Sequence, residues 1–97
     1  MIAKSLILTG RVQGVGFRDW MMVRARRLGL AGWVRNRRDG SLEALVAGDA
    51  PAVEELLRAC RRGPPGAEVV TVTEDFAEPP VEPGFVKRPT AAVAGQG

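Results

Sequence analysis

Six apolar runs follow one another along the chain, and their periods leave few folds open. Residues 4–12 alternate in twos, with Leu6, Leu8 and Val12 on one parity, as expected of a half-buried strand. Residues 19–28 switch to the helical period: Phe17, Met21, Ala25 and Leu28 form one stripe, and Gly29 supplies a stop. Residues 32–36 (GWVRN) and 41–47 (SLEALVA) read as two strands joined through Arg38, Asp39 and Gly40, since Asp-Gly between apolar runs signals a hairpin. A second helix begins near Pro51, with Asp49 placed to cap it, and carries Val53, Leu56, Leu57 and Cys60 on one stripe. Glu54 and Glu55 come early in it and Arg58, Arg61 and Arg62 late, which suits the helix dipole. Residues 68–76 (EVVTVTEDF) return to strand alternation through Val70, Val72 and Phe76.

The order β-α-β-β-α-β is a split βαβ arrangement. It predicts an α+β domain of ferredoxin-like architecture, with two helices on one face of a four-stranded antiparallel sheet. Residues 85–88 (FVKR) offer a short fifth strand at an edge. One domain over 1–88 accounts for the pattern, and residues 89–97 read as a mobile tail. Such a fold hosts many activities and by itself establishes none.

Composition then removes several kinds of chemistry. The chain has no histidine and a single cysteine, Cys60. The usual zinc ligands, the Ser-His-Asp arrangement and an internal disulfide are thereby excluded. Cys60, on the second helical stripe, reads as a small core residue. Charge is divided along the chain: residues 1–40 hold nine Lys/Arg against two acidic residues, and residues 41–97 hold five against nine. The anion-attracting field belongs to the first part. No apolar run approaches the roughly 20 residues of a membrane span. The opening MIAKSLILTG leads into a glycine turn and not a cleavage site, so the cytoplasm is expected.

The chemistry gathers between the first strand and the first helix, in RVQGVGFR at 11–18. Gly14 and Gly16 can take positive φ and fold the backbone into a concave loop whose N–H groups converge. The helix that follows adds free N–H groups and its positive end. Arg18 adds a planar fork suited to phosphate oxygens. Alone, such a loop is also an ordinary strand-to-helix turn with a solvated arginine.

The wider pattern resembles the acylphosphatases. VQGVGFR at 12–18, LGLAGWVRN at 28–36 and DGSLE at 39–43 carry the resemblance, with GPPGAEV at 63–69 and FVKR at 85–88 as later landmarks. It covers about residues 4–88. It implies metal-independent hydrolysis of a carboxyl–phosphate anhydride to a carboxylate and inorganic phosphate. By motif position the catalytic residues are Arg18, on the phosphoryl group, and Asn36, orienting the attacking water. The phosphate-binding loop is Gln13, Gly14, Val15, Gly16, Phe17 and Arg18, with the N–H groups of 15–18 foremost. No cofactor or metal is implied, and the partners are a small-molecule acyl phosphate and product phosphate, with no membrane, no specific nucleic acid and a monomer.

Elementary chemistry agrees with that assignment. A carboxylate leaves readily, its acid ionising near pH about 4.3, so no general acid is needed. Phosphoryl transfer asks for positioning and charge stabilisation, which a nest and a guanidinium supply. Asn36 is no base but can hold a water, whose proton is expected to pass to a phosphate oxygen of the substrate.

Two other readings remain on the sequence. An RNA-binding sheet would display aromatic residues on adjacent central strands, and no such platform is evident. A module of a larger carbamoyl-phosphate-using enzyme fits the motif but not the 97-residue length. Asp39 reads as a hairpin residue and Trp33 as packing or a pocket wall. Asp19, directly after the key arginine, reads as a helix cap in preference to a charge that weakens the anion site. Arg24, Arg26, Arg27, Arg35, Arg37 and Arg38 read as a solvated basic face able to steer anions.

Overall fold

A computed structural model describes residues 1–91. The elements run β1 (Ile2–Arg11), α1 (Phe17–Arg27), β2 (Ala31–Asn36), β3 (Leu42–Gly48), α2 (Ala50–Arg62), β4 (Glu68–Phe76) and β5 (Phe85–Lys87). They make one sheet in the order β4-β1-β3-β2-β5. The first four strands pair antiparallel, as the split βαβ order demands. The optional fifth strand is present and lies parallel to β2, so the complete sheet is mixed, with five strands.

One face of the sheet carries both helices. Their predicted stripes are the buried ones: Phe17, Met21 and Ala25 of α1, and Val53, Leu56, Leu57 and Cys60 of α2. They close on Leu6, Leu8, Val34, Leu42, Ala44, Val46 and Phe85, all at most 1% exposed. Gly29 ends α1 as expected, at φ 71°, with Leu30 N–H donating to the Ala25 carbonyl. Asp49 holds the N-cap position of α2, although its side chain bonds no backbone N–H. Asp39 is a hairpin residue, accepting from the Ser41 N–H (2.9 Å) and the Ser41 hydroxyl (2.6 Å).

Strand β4 departs from the expected alternation. Its register against β1 shifts between Thr9 and Gly10, a β-bulge, and a bulge exchanges the faces beyond it. Val69 and Val72 therefore pack against the core, while Val70 is 69% exposed. Phe76, at the end of this outer strand, is 76% exposed beneath Lys4.

The expected tail is tied down at its start. Ala91 N–H donates to the Asn36 carbonyl (2.9 Å), and Arg38 N–H donates to the Ala91 carbonyl (3.1 Å). The remainder, 92–97, lies outside the described residues.

Burial pushes the Cys60 thiol up from 9.0 to about 12. The thiolate is the reactive form, so native protein should resist alkylation by iodoacetamide at pH 8 and react at once in denaturant. Rapid native labelling would contradict this. The folded state keeps its proton longer than the unfolded chain, so this group's contribution is intact below pH 9 and lost between pH 9 and about 12.

Candidate active site

The loop between β1 and α1 is built on two left-handed glycines, Gly14 at φ 75° and Gly16 at φ 77°. A methyl on either would meet open space. Backbone conformation, and not crowding, is what requires glycine there. Val15 between them has negative φ, since every positive φ among the described residues belongs to glycine. This alternation of sign turns successive N–H groups to one side.

Gly16 is also the N-cap of α1, and its carbonyl accepts the first helical bond from Trp20 N–H (3.0 Å). Among the described residues, no backbone carbonyl takes the N–H of Val15, Gly16, Phe17 or Arg18. These donors converge at the positive end of α1 and are free for an anion. Phe17 anchors the loop from below, 2% exposed and packed edge-on against Trp20 with centroids 5.3 Å apart.

Arg18 is held from the far side of the fold. Its Nη1 donates to the Arg88 carbonyl at 3.0 Å, and Arg88 N–H donates to the Val34 carbonyl at 2.8 Å. The guanidinium has five N–H donors, so four remain after this bond. Asn36 ends β2 two residues after the buried Val34, and therefore points to the same helix-bearing face. Its Oδ1 is buried and takes no hydrogen bond among the described residues. An unpaired buried acceptor is rare, and such atoms concentrate where a ligand or water completes them.

These parts meet in a cavity of about 110 Å³ lined by Val12, Gly14, Gly16, Phe17, Arg18, Asp19, Asn36 and Lys87. That is the volume of roughly three to four waters, enough for a tetrahedral anion and an attacking water. A hollow of about 400 Å³ beside Trp33 and Pro83 is larger but holds neither the loop nor Arg18, so size is no guide to chemistry here.

Five of the seven expected site residues line the cavity. Gln13 and Val15 do not. Gln13 spends its side chain on structure: Nε2 donates to the carbonyls of Arg37 (2.7 Å) and Ser41 (2.9 Å), pinning the loop to the β2–β3 hairpin. Val15 packs against the core from the loop.

Two charged groups complete the lining. Asp19 makes no cap bond to α1, contrary to expectation. Its Oδ1 instead lies 2.8 Å from Lys87 Nζ. The hydrogen bond and charge of Lys87 lower the Asp19 carboxyl below its ordinary value. Lys87 escaped the sequence reading. Period two from the buried Phe85 would have placed it on the same face.

The expected basic face is dispersed. Arg24 stacks on Trp20 at 4.6 Å, Arg26 Nε donates to the Phe85 carbonyl (3.0 Å), and Arg35 pairs with Glu43 (2.7 Å) across the opposite sheet face. On that face the guanidinium groups of Arg35 and Arg88 lie over the Trp33 ring, at 4.7 and 4.9 Å. Among the described residues no group of three His, Cys, Asp or Glu could hold a metal ion, and no helix is long and apolar enough to cross a membrane.

A split-βαβ sheet with two helices on one face and an open nest at one end defines a ferredoxin-like α+β domain. A family model described as acylphosphatase matches residues 4–87. The acylphosphatase of Acidiphilium cryptum is 82% identical over 93% of this chain and 99% of its own length. The crystal structure of the Bacillus subtilis acylphosphatase superposes with a TM-score of 0.85 at 34% identity, covering 91% of this chain and 99% of that one. Full-length HypF, in a phosphate- and nucleotide-bound form, matches with a TM-score of 0.88 at 25% identity, over 97% of this chain but 12% of HypF. The chain belongs to the acylphosphatase family. It is an enzyme that hydrolyses small acyl phosphates and releases phosphate.

Proposed function

We propose that the cavity at the start of α1 is the catalytic site, with the phosphoryl group held by the loop N–H groups and Arg18 and the water oriented by Asn36. The observation that carries this reading is the meeting of Gly14, Gly16, Arg18 and Asn36 in one small cavity. Three phosphoryl oxygens face donors that need no reorganisation: the N–H groups of residues 15–18 and the free edge of the guanidinium. Preorganised donors of this kind stabilise the charge that builds up during transfer. Asn36 Oδ1, buried and unpaired among the described residues, accepts a hydrogen bond from water on the phosphoryl side. Its proton passes to a phosphoryl oxygen, the carboxylate leaves unprotonated, and no protein base is needed.

Gln13 contributes through the backbone shape of the loop and Val15 through its N–H, neither as a side-chain ligand. The cavity has room for the phosphoryl end alone, so the acyl group lies outside it and a range of acyl groups is accepted. The reading uses residues of a single chain, and the acting unit proposed is the monomer. Residues 1–88 form the working unit. A cytoplasmic location is part of this reading.

Hydrolysis of benzoyl phosphate in excess EDTA tests the metal-free chemistry. Turnover should be unchanged by the chelator, and inorganic phosphate should inhibit competitively. A magnesium requirement would overturn the mechanism, because the nest and Arg18 would then be insufficient.

A further inference from the structure

We propose that Lys87 is a second cation for the phosphoryl group, and that Asp19, by occupying Lys87 in the empty site, sets how tightly phosphate is held. The inference rests on reading the cavity as the phosphoryl site. Lys87 closes β5 and Asp19 stands in the first turn of α1, yet both line the same cavity as Arg18 and the loop glycines. Their ion pair, 2.8 Å long, is open to water, the side chains being 41% and 63% exposed.

A carboxylate in the first turn of a helix has two places to go. It can bond the free N–H groups of the turn, or it can meet a nearby cation. Asp19 takes the cation. The loop donors are thereby left open, while the charge of Lys87 is neutralised for as long as no stronger anion is present.

Inorganic phosphate carries more than one negative charge at neutral pH, as a phosphoryl group on a side chain does, and so outcompetes one carboxylate for the lysine. When product departs, Asp19 recovers Lys87. The carboxylate is a tethered competitor for one of the two cations in the cavity. It limits product affinity chiefly through Lys87, the charge of Arg18 acting on it less. Asp19 is on this account a positioning residue that acts through Lys87.

The test is the inhibition constant of inorganic phosphate against benzoyl phosphate at fixed ionic strength. It is measured for wild type, Asp19→Asn, Lys87→Met, the double variant and Arg18→Ala. Asp19→Asn should tighten phosphate about fivefold, and Lys87→Met should weaken it by about as much, the size of one partly exposed charge contact. In the Lys87→Met background, Asp19→Asn should have an effect of about twofold or less.

Equal tightening in both backgrounds would mean that Asp19 repels phosphate directly, and the inference would fall. Unchanged constants in both single variants, with binding abolished by Arg18→Ala, would make the pair an ordinary surface contact and leave the phosphoryl site in place. Phosphate inhibition that survives Arg18→Ala would remove the phosphoryl site itself, and the inference with it.

Discussion

Arg18→Ala lowers the hydrolysis of benzoyl phosphate by at least about 10²–10³-fold, the loss seen when one preorganised donor to a developing oxyanion is removed. The structure adds a reason for a loss at the upper end. Arg18 both faces the cavity and donates to the Arg88 carbonyl, so alanine removes the phosphoryl fork and loosens the segment that carries Lys87. Arg18→Lys should restore little. An ammonium is a point charge without the planar fork, and it cannot hold the Arg88 carbonyl and two phosphoryl oxygens in the geometry a guanidinium offers. Steady-state rates together with thermal melting separate the two roles. Near-normal turnover in Arg18→Lys would show that charge alone suffices and would remove the argument from geometry.

Asn36→Ala should divide activity from stability. Turnover falls about 10²-fold, the scale of a misplaced nucleophile, while inhibition by inorganic phosphate stays near wild type because the nest and Arg18 are intact. The folded protein, by contrast, should melt within a few degrees of wild type, because among the described residues Asn36 Oδ1 makes no hydrogen bond to the protein and Asn36 lines the cavity. A variant that loses phosphate affinity in step with turnover would make Asn36 a phosphoryl ligand. A variant that melts much earlier would make it a structural residue.

The parts of this molecule that follow from short-range pattern could be read from the chain before folding. The stripe Val53, Leu56, Leu57 and Cys60 is the buried face of α2, because helical period and burial are one geometric fact. Gly14 and Gly16 likewise show in the sequence, since few other residues tolerate their backbone angles. What escaped is long-range. The bulge at Thr9/Gly10 is a property of two paired strands, so alternation within β4 alone assigned Val70 to the wrong side. The two bonds of the Gln13 amide are long-range too, to carbonyls 24 and 28 residues away. Asp19 reads as a cap from its place in the first helical turn; its cation arrives from β5, at the other end of the domain.

Strand β5 is three residues long and pairs with one neighbour, too little to secure it by sheet hydrogen bonds alone. Two arginines of α1 secure it: Arg26 at the Phe85 carbonyl and Arg18 at the Arg88 carbonyl. The first is pure scaffolding, and the second is, on the proposed reading, shared with catalysis. Affinity for the anion and attachment of the C-terminal strand are therefore drawn from the same guanidinium, and thermodynamic reciprocity applies between them. Whatever strengthens the grip of Arg18 on the strand also orders the fork that meets the substrate. A lesion in residues 85–88, remote in sequence from the glycine loop, reaches the chemistry through that one shared side chain.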